Sequence, residues 1–341
     1  MKRADLLAAI AVVKDFANNE KFSYPWVLLS TEYEGKVCSF ADRGYAKIGT
    51  AISLAEPTPD KFSVKLNAVQ LFEALSAIKE EDVELTITKL VVTIKAKRQK
   101  VDLVSIGMDN TKEIADKFFA EADFGPLAIS LPKATMKSLL AYGHTLSSFS
   151  PPEGLVSGQI VGGIWFRGDY ACVLPSGAVR QAIFLKNVIS PVDFILHGKV
   201  GLSIAPKSDT DVFVKDGIVT LIYDNTRISY TTPETLISAT TDQYFWKVDK
   251  YTPIGHATLP DMQAFHKFGA TNITWKANGT VEPEQWRDCK YTETLEGEIS
   301  SDFITPILPI PKVAYQIYDA PGGYKFENDE IMYMVGKVRG L

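Results

Sequence analysis

The side chains that most often do chemistry are thinly spread in this chain. His144, His197, His256 and His266 lie far apart, and none sits at a metal-ligand spacing from another. Two carboxylate groupings could hold a cation: residues 79–82, reading Lys-Glu-Glu-Asp, and "KSDTD" at 207–211. Both read more simply as solvated turns. Cys38, Cys172 and Cys289 are odd in number, widely spaced and without a CxxC pair, as buried thiols of a reducing compartment would be. A Gly-rich phosphate loop and a nucleophile elbow are both missing from the sequence. The Asn278-Gly279-Thr280 sequon reads as turn chemistry, because Asn-Gly is a preferred hairpin turn. The inventory therefore points away from an enzyme and implies no cofactor and no metal.

The elements that would position functional groups are more informative. In "NAVQLFEALSAIKEEDVELTI", Ala68, Leu71, Phe72, Leu75 and Ile78 recur at the spacing of one helix face, with Asn67 as N-cap. After the charged break at residues 79–82 the period drops to two: Val83, Leu85 and Ile87 alternate with polar residues. Val92, Ile94 and Ala96, then Val101 and Leu103, continue an antiparallel meander. The N-terminal "MKRADLLAAIAVVKDF" resembles a signal peptide in outline. Asp5, Lys14 and Asp15 interrupt it at helical spacing, however, so it reads as an amphipathic helix bearing Leu6, Ile10 and Val13. Strands follow it too, so one helix-plus-meander plan occurs twice in residues 1–124.

Fresh starts appear at "ISLPKATMKSLLAYGHTLSS" and at "ATLPDMQAFHKFGATNITWKANG". Pro132 suits a first helical position, and Asp216-Gly217 and Asp224-Asn225 mark hairpin turns. The chain thus reads as three weakly similar domains of an α+β class: 1–124, 125–251 and 252–341, the last short and divergent. The second halves of the later two are irregular. "LHGKVGLSIAP" is broken by glycines and proline, and "DFITPILPIPK" carries three prolines that forbid an ordinary helix. A length of 341 residues, 46% hydrophobic and 23% charged, suits a folded protein of more than one domain. No apolar run approaches the roughly 20 residues of a membrane span.

The order and spacing of "FSVKLNAVQLFEALSAIKEEDVELTI", "ISLPKATMKSLLAYGHTLSS", "VFVKDGIVTLIYDNTRISYTT" and the terminal "YMVGKVRGL" resemble the DNA sliding clamps, the beta subunit of bacterial DNA polymerase III. The resemblance covers nearly the whole chain, more firmly in residues 1–250, and suits a divergent bacterial or phage member. It implies a DNA-clamp fold, with helices lining a ring and antiparallel sheets outside. It also implies a processivity factor: a homodimer around double-stranded DNA that tethers the replicative DNA polymerase and is opened by a separate clamp loader, in the cytoplasm of a bacterial or phage-infected cell.

Site residues follow from the resemblance. A net charge of −5 argues against a protein that grips DNA over its whole surface, yet allows a basic lining within an acidic exterior. Lys2, Arg3, Lys14, Lys21, Lys79, Lys133, Lys137 and Lys267 are the lining candidates. The dimer contact implied joins Val101 and Leu103 on an edge strand to Phe265 and Phe268. The partner-peptide cleft implied gathers Pro175, Gly177, Arg180, Val248, Met334, Val338, Arg339 and Leu341, with Gly336 and Lys337 where the family carries bulkier apolar residues. The alternative reading is a β-rich structural or carbohydrate-binding viral protein without a DNA role. Helix starts at regular intervals, with basic residues on their polar sides, distinguish the two.

Overall fold

The computed structural model describes the chain apart from residues 18–24, 34, 45, 55–60, 108, 149–162, 175–180, 198–207, 232–250, 268, 285–290, 309, 321 and 338–341, and apart from the side chains of residues 142–148, 163, 173, 174, 181 and 197. Two compact units divide it: residues 1–137 with 199–232, and residues 138–198 with 233–341.

The first unit begins with α1 (Arg3–Ala17), which buries Leu6, Ile10, Val13 and Phe16. Each such side chain contributes roughly 1.5–3 kcal/mol by leaving water. Then come β1 (Trp26–Ser30), β2 (Lys36–Asp42), β3 (Ala46–Ser53) and β4 (Ser63–Asn67), leading into α2 (Ala68–Ala77). Asn67 caps α2 as its sequence suggests, Oδ1 accepting from the amides of Val69 at 3.0 Å and Gln70 at 3.1 Å. The meander β5 (Glu84–Ile87), β6 (Val91–Ala96) and β7 (Gln99–Ile106) completes the pattern.

The two halves exchange strands. β4, opening the second half, pairs with β1 of the first, while Lys2 bridges to Asp82, opening the second meander. The Val83 amide donates to the Met1 carbonyl at 3.0 Å and the Arg3 amide to Glu81 at 2.8 Å. Each half thus donates its first strand to the other, and α1 packs beside α2.

A helix that the sequence reading omits, α3 (Thr111–Ala120), follows β7. Its apolar side, Ala115 and Phe118, clusters with Leu28 and Phe40. α1 takes the neighbouring sheet positions, as the Ser39 hydroxyl donating to the Ala9 carbonyl shows. Alternation along β1 and β2 places helices on both faces of that sheet. Beyond α3 lie β8 (Leu127–Leu131), α4 (Lys133–Ser148), whose residues from Ser138 on belong to the second unit, and the strands β11 (Thr210–Lys215), β12 (Ile218–Tyr223) and β13 (Thr226–Thr231). Positive φ at Asp216, Gly217 and Asp224 fits the turns read from the sequence. β13 pairs antiparallel with β3, from Thr226 opposite Thr50 to Tyr230 opposite Ala46. One sheet of 11 strands results, running across the expected boundary at residue 125 in the order β5-β6-β7-β4-β1-β2-β3-β13-β12-β11-β8.

The second unit holds β9 (Gly163–Leu174), β10 (Gln181–His197), β14 (Thr252–Thr258), the short helix α5 (Met262–Lys267), β15 (Asn272–Lys276), β16 (Thr280–Pro283), β17 (Glu293–Thr294), β18 (Glu296–Ile299), β19 (Phe303–Pro306), β20 (Ala314–Ala320), β21 (Gly323–Glu327) and β22 (Ile331–Gly336). They form a seven-stranded sheet, β18-β14-β20-β21-β22-β10-β9, and a four-stranded one, β17-β16-β15-β19. The exchange recurs: β14 pairs with β20, and β15 with β19. Trp275, stacked 5.4 Å from Phe303 and tilted against Phe326, joins the two sheets in a buried aromatic core. The "DFITPILPIPK" segment supplies strand β19, in keeping with its prolines. Of "LHGKVGLSIAP", Leu196 and His197 end the long strand β10, and the rest lies outside the described residues.

Candidate nucleic-acid and partner interfaces

The paired helices α1 and α2 are where a basic lining is expected, and their electrostatics are mixed. Lys14 lies 4.2 Å from the Phe72 ring centroid and 2.9 Å from Asp15, which ties down its ammonium. Arg3 Nη1 donates to the Leu75 carbonyl at 3.3 Å, complementing the negative end of α2. Lys2 sits at the strand exchange, 3.0 Å from Asp82. Lys79 is exposed just beyond α2. Within the two helices Arg3 and Lys14 face Asp5, Asp15 and Glu73, so this pair carries more carboxylate than cation. Lys133 and Lys137 are exposed on α4, and Lys267 on α5. Lys21 lies outside the described residues.

Of the expected peptide cleft, Met334 is described; Pro175, Gly177, Arg180, Val248, Val338, Arg339 and Leu341 are not. Met334 is buried among Trp165, Cys172, Ala182, Phe184 and Ile195, with Tyr170, Tyr251 and Met332 half-buried against them. The Tyr251 hydroxyl points at Met334 Sδ, 3.8 Å away. Beside this cluster Lys325 Nζ lies 4.0 Å from the Tyr318 ring centroid and 4.6 Å from that of Tyr251. Glu327 accepts from Lys186 and from Lys325, each at 2.6 Å. Burial disfavours the charged carboxylate, but the two ammonium donors outweigh it and hold the Glu327 pKa below its ordinary value. Tyr251, Tyr318 and Lys325 escaped the sequence reading. Tyr251 had a local signal, directly after the aromatic "YFWKVDK"; Tyr318 and Lys325 sit on strands far along the chain and had none.

The dimer residues need correction. Phe265 is fully buried and edge-on to Tyr291 at 4.9 Å, so it belongs to the core of its own unit. Phe268 lies outside the described residues. Leu103 is buried and Val101 half-buried on the core face of β7. That strand is not terminal in the sheet, since β4 pairs with its last two residues, Ser105 and Ile106. Over residues 99–104, however, β6 is its one strand partner among the described residues. What the sequence reading missed is the charge around this stretch: Lys95, Lys97, Arg98 and Lys100 crowd the β6–β7 turn and are exposed. At β17 and its neighbours the sign reverses, with Glu282, Glu296 and Glu298 exposed and Glu284 and Glu293 half-buried.

No helix of the described residues is long and apolar enough to cross a membrane, and no grouping of His, Cys, Asp and Glu among them could hold a metal ion. Cys38 and Cys172 are free and buried, and burial pushes the Cys38 thiol up to about 12; Cys289 lies outside the described residues.

No protein-family model matches the chain, and no curated protein matches it by sequence. Solved structures do match. The DNA polymerase III subunit beta of Pseudomonas aeruginosa superposes with a TM-score of 0.70 at 12% identity, over 99% of each chain. The beta subunit of Thermotoga maritima gives 0.70 at 12%, covering 100% of this chain and 99% of that one. The Helicobacter pylori beta clamp bound to a DNA ligase peptide gives 0.69 at 10%, over 99% of each. At such identities the likeness establishes the fold, which is the sliding-clamp fold along the whole chain.

Proposed function

We propose that this chain is a DNA sliding clamp, a non-enzymatic cytoplasmic processivity factor in which two copies join head to tail around duplex DNA. The carrying observation is a pairing rule that the chain applies twice. β13 and β22 each end the second half of an expected domain. Each pairs antiparallel with the last strand of another domain's first half: β13 with β3, β22 with the start of β10. β7 ends the second half of the first domain and β17 the first half of the third, and among the described residues neither has such a partner. Antiparallel pairing of β7 in one copy with β17 in another completes the rule, and a heterologous contact of this kind closes into a ring. The cations of residues 95–100 then face the carboxylates around β17, which favours this register over like-with-like association.

Three tandem domains per chain, with boundaries at residues 125 and 252, accompany this reading. Lys14, Lys133, Lys137 and Lys267 make non-specific phosphate contacts inside the ring, and the sparse cation count on α1 and α2 suits sliding rather than gripping. The cluster around Met334 and Tyr251 forms one wall of an apolar cleft for a short peptide of the polymerase or of the loader. The peptide-bound Helicobacter pylori neighbour supports that assignment by analogy. A topological tether raises the polymerase's effective concentration at the template.

The test is topological. Protein loaded on a nicked circular plasmid should withstand a high-salt wash and be lost once the plasmid is linearised. Sedimentation should show a dimer that persists at the salt concentration of that wash. A monomer at all concentrations, or equal retention on circular and linear DNA, would refute the ring.

A further inference from the structure

The segment after β7 reaches across the β3–β13 pairing, and its contacts are of an unusual kind. Arg227, on β13 opposite Gly49 of β3, places its guanidinium 3.8 Å from the Phe118 ring centroid and 4.9 Å from that of Phe124. Phe118 comes from α3 and Phe124 from the stretch that follows it. Arg227 Nη1 donates to the Glu121 carbonyl at 2.9 Å, while its buried Nε and Nη2 have no hydrogen-bond partner. The half-buried guanidinium is held by cation–π attraction to both rings, to which its planar shape fits more closely than an ammonium would.

Both ends of the segment are tied down. On the β1–β3 side Phe118 meets Phe40 at 5.2 Å and Phe119 meets Tyr33 at 4.9 Å. There Lys112 joins Glu32 at 2.9 Å and Asp116 at 2.7 Å. On the β11 side Asp123 bridges Lys215 at 2.6 Å, and Phe124 meets Phe213 at 5.8 Å. Gly125, at φ +81°, passes so close to Lys215 that a Cβ there would stand 2.8 Å from the lysine's own Cβ.

We propose that residues 111–125 are a clasp that locks the β3–β13 seam, with the Arg227 guanidinium as its pin. Strand pairing alone leaves a seam able to open locally, whereas a segment bonded on both sides must be released first. The clasp lies wholly within the first unit and stands whether or not the chain forms a ring. In a ring it would confine opening to junctions that lack such a segment.

Hydrogen exchange on the full chain tests this. In Arg227→Met, amides of β3 and β13 should exchange about tenfold faster or more, while those of β20, β21 and β22 keep their wild-type rates. Arg227→Lys should fall between the two, keeping charge without the planar stack. Phe124→Leu, which removes one of the two rings beside Arg227, should accelerate the same amides and serves if Arg227→Met does not fold. Unchanged seam exchange, or equal acceleration in both units, would overturn the proposal.

Discussion

Gly49 of β3 lies against the Phe118 ring of α3: a Cβ on residue 49 would stand 2.5 Å from Phe118 Cε1 and 2.8 Å from Phe119 Cζ. The sheet and helix approach so closely there that only hydrogen fits between them. Gly49→Ala must push two packed rings aside, an overpacking cost of about 1–3 kcal/mol. A lower urea midpoint is expected, with exchange rising first in α3. An unchanged midpoint would mean that α3 shifts without resistance.

Thr305 accepts a hydrogen bond from Trp275 Nε1 at 2.9 Å, both residues being fully buried. Thr305→Val keeps the shape and strands the indole N–H, which costs about 1–3 kcal/mol. Thr305→Ser keeps an acceptor and should cost less. The comparison of the two by denaturant unfolding isolates the hydrogen bond; equal losses would assign the effect to packing.

Acid sensitivity should concentrate at α3. The Lys112 ammonium holds the carboxyls of Glu32 and Asp116 below their ordinary pKa values, with Ser63 and Tyr33 adding hydrogen bonds. A depressed folded pKa contributes stability that is present above the unfolded value and lost as pH falls through the folded one. Both pairs are substantially exposed, so each contributes under about 1 kcal/mol. Lys112→Met should flatten the dependence of stability on pH below about 5. Parallel pH profiles for variant and parent would contradict this.

Charge reversal of Lys14, Lys133 and Lys137 together should weaken retention on primed circular DNA and make it less salt-dependent, because fewer phosphates are neutralised. The two α4 lysines are exposed, and each should cost less than about 0.5 kcal/mol. Lys14 also loses its contact with Phe72, worth about 0.5–1 kcal/mol. A fully processive triple Glu variant would remove these residues from the lining.

What the sequence determined by itself is local. The i, i+3, i+4 stripes of α1 and α2, the Asn67 cap, the alternation along β6 and the Asp216-Gly217 turn each depend on residues within a turn or two of one another, so their signals survive without a partner. α3 was within reach of the same reasoning, for it carries Lys112–Asp116 and Glu113–Lys117 pairs four residues apart. Its two-residue buried stripe, however, gives a weaker period than the four buried positions of α2 over the same length of ten residues. Tertiary structure decided which strands meet. Every edge strand offers the same backbone donors and acceptors, so nothing within β3 names β13 as its partner. The choice is made by residues far apart in sequence, such as Gly49 against Phe118 and Arg227 beside the Phe118 and Phe124 rings. For the same reason Phe265 could be read as an interface residue: apolar character predicts burial without saying against what, and only the packing of the second unit sets Tyr291 edge-on to its ring.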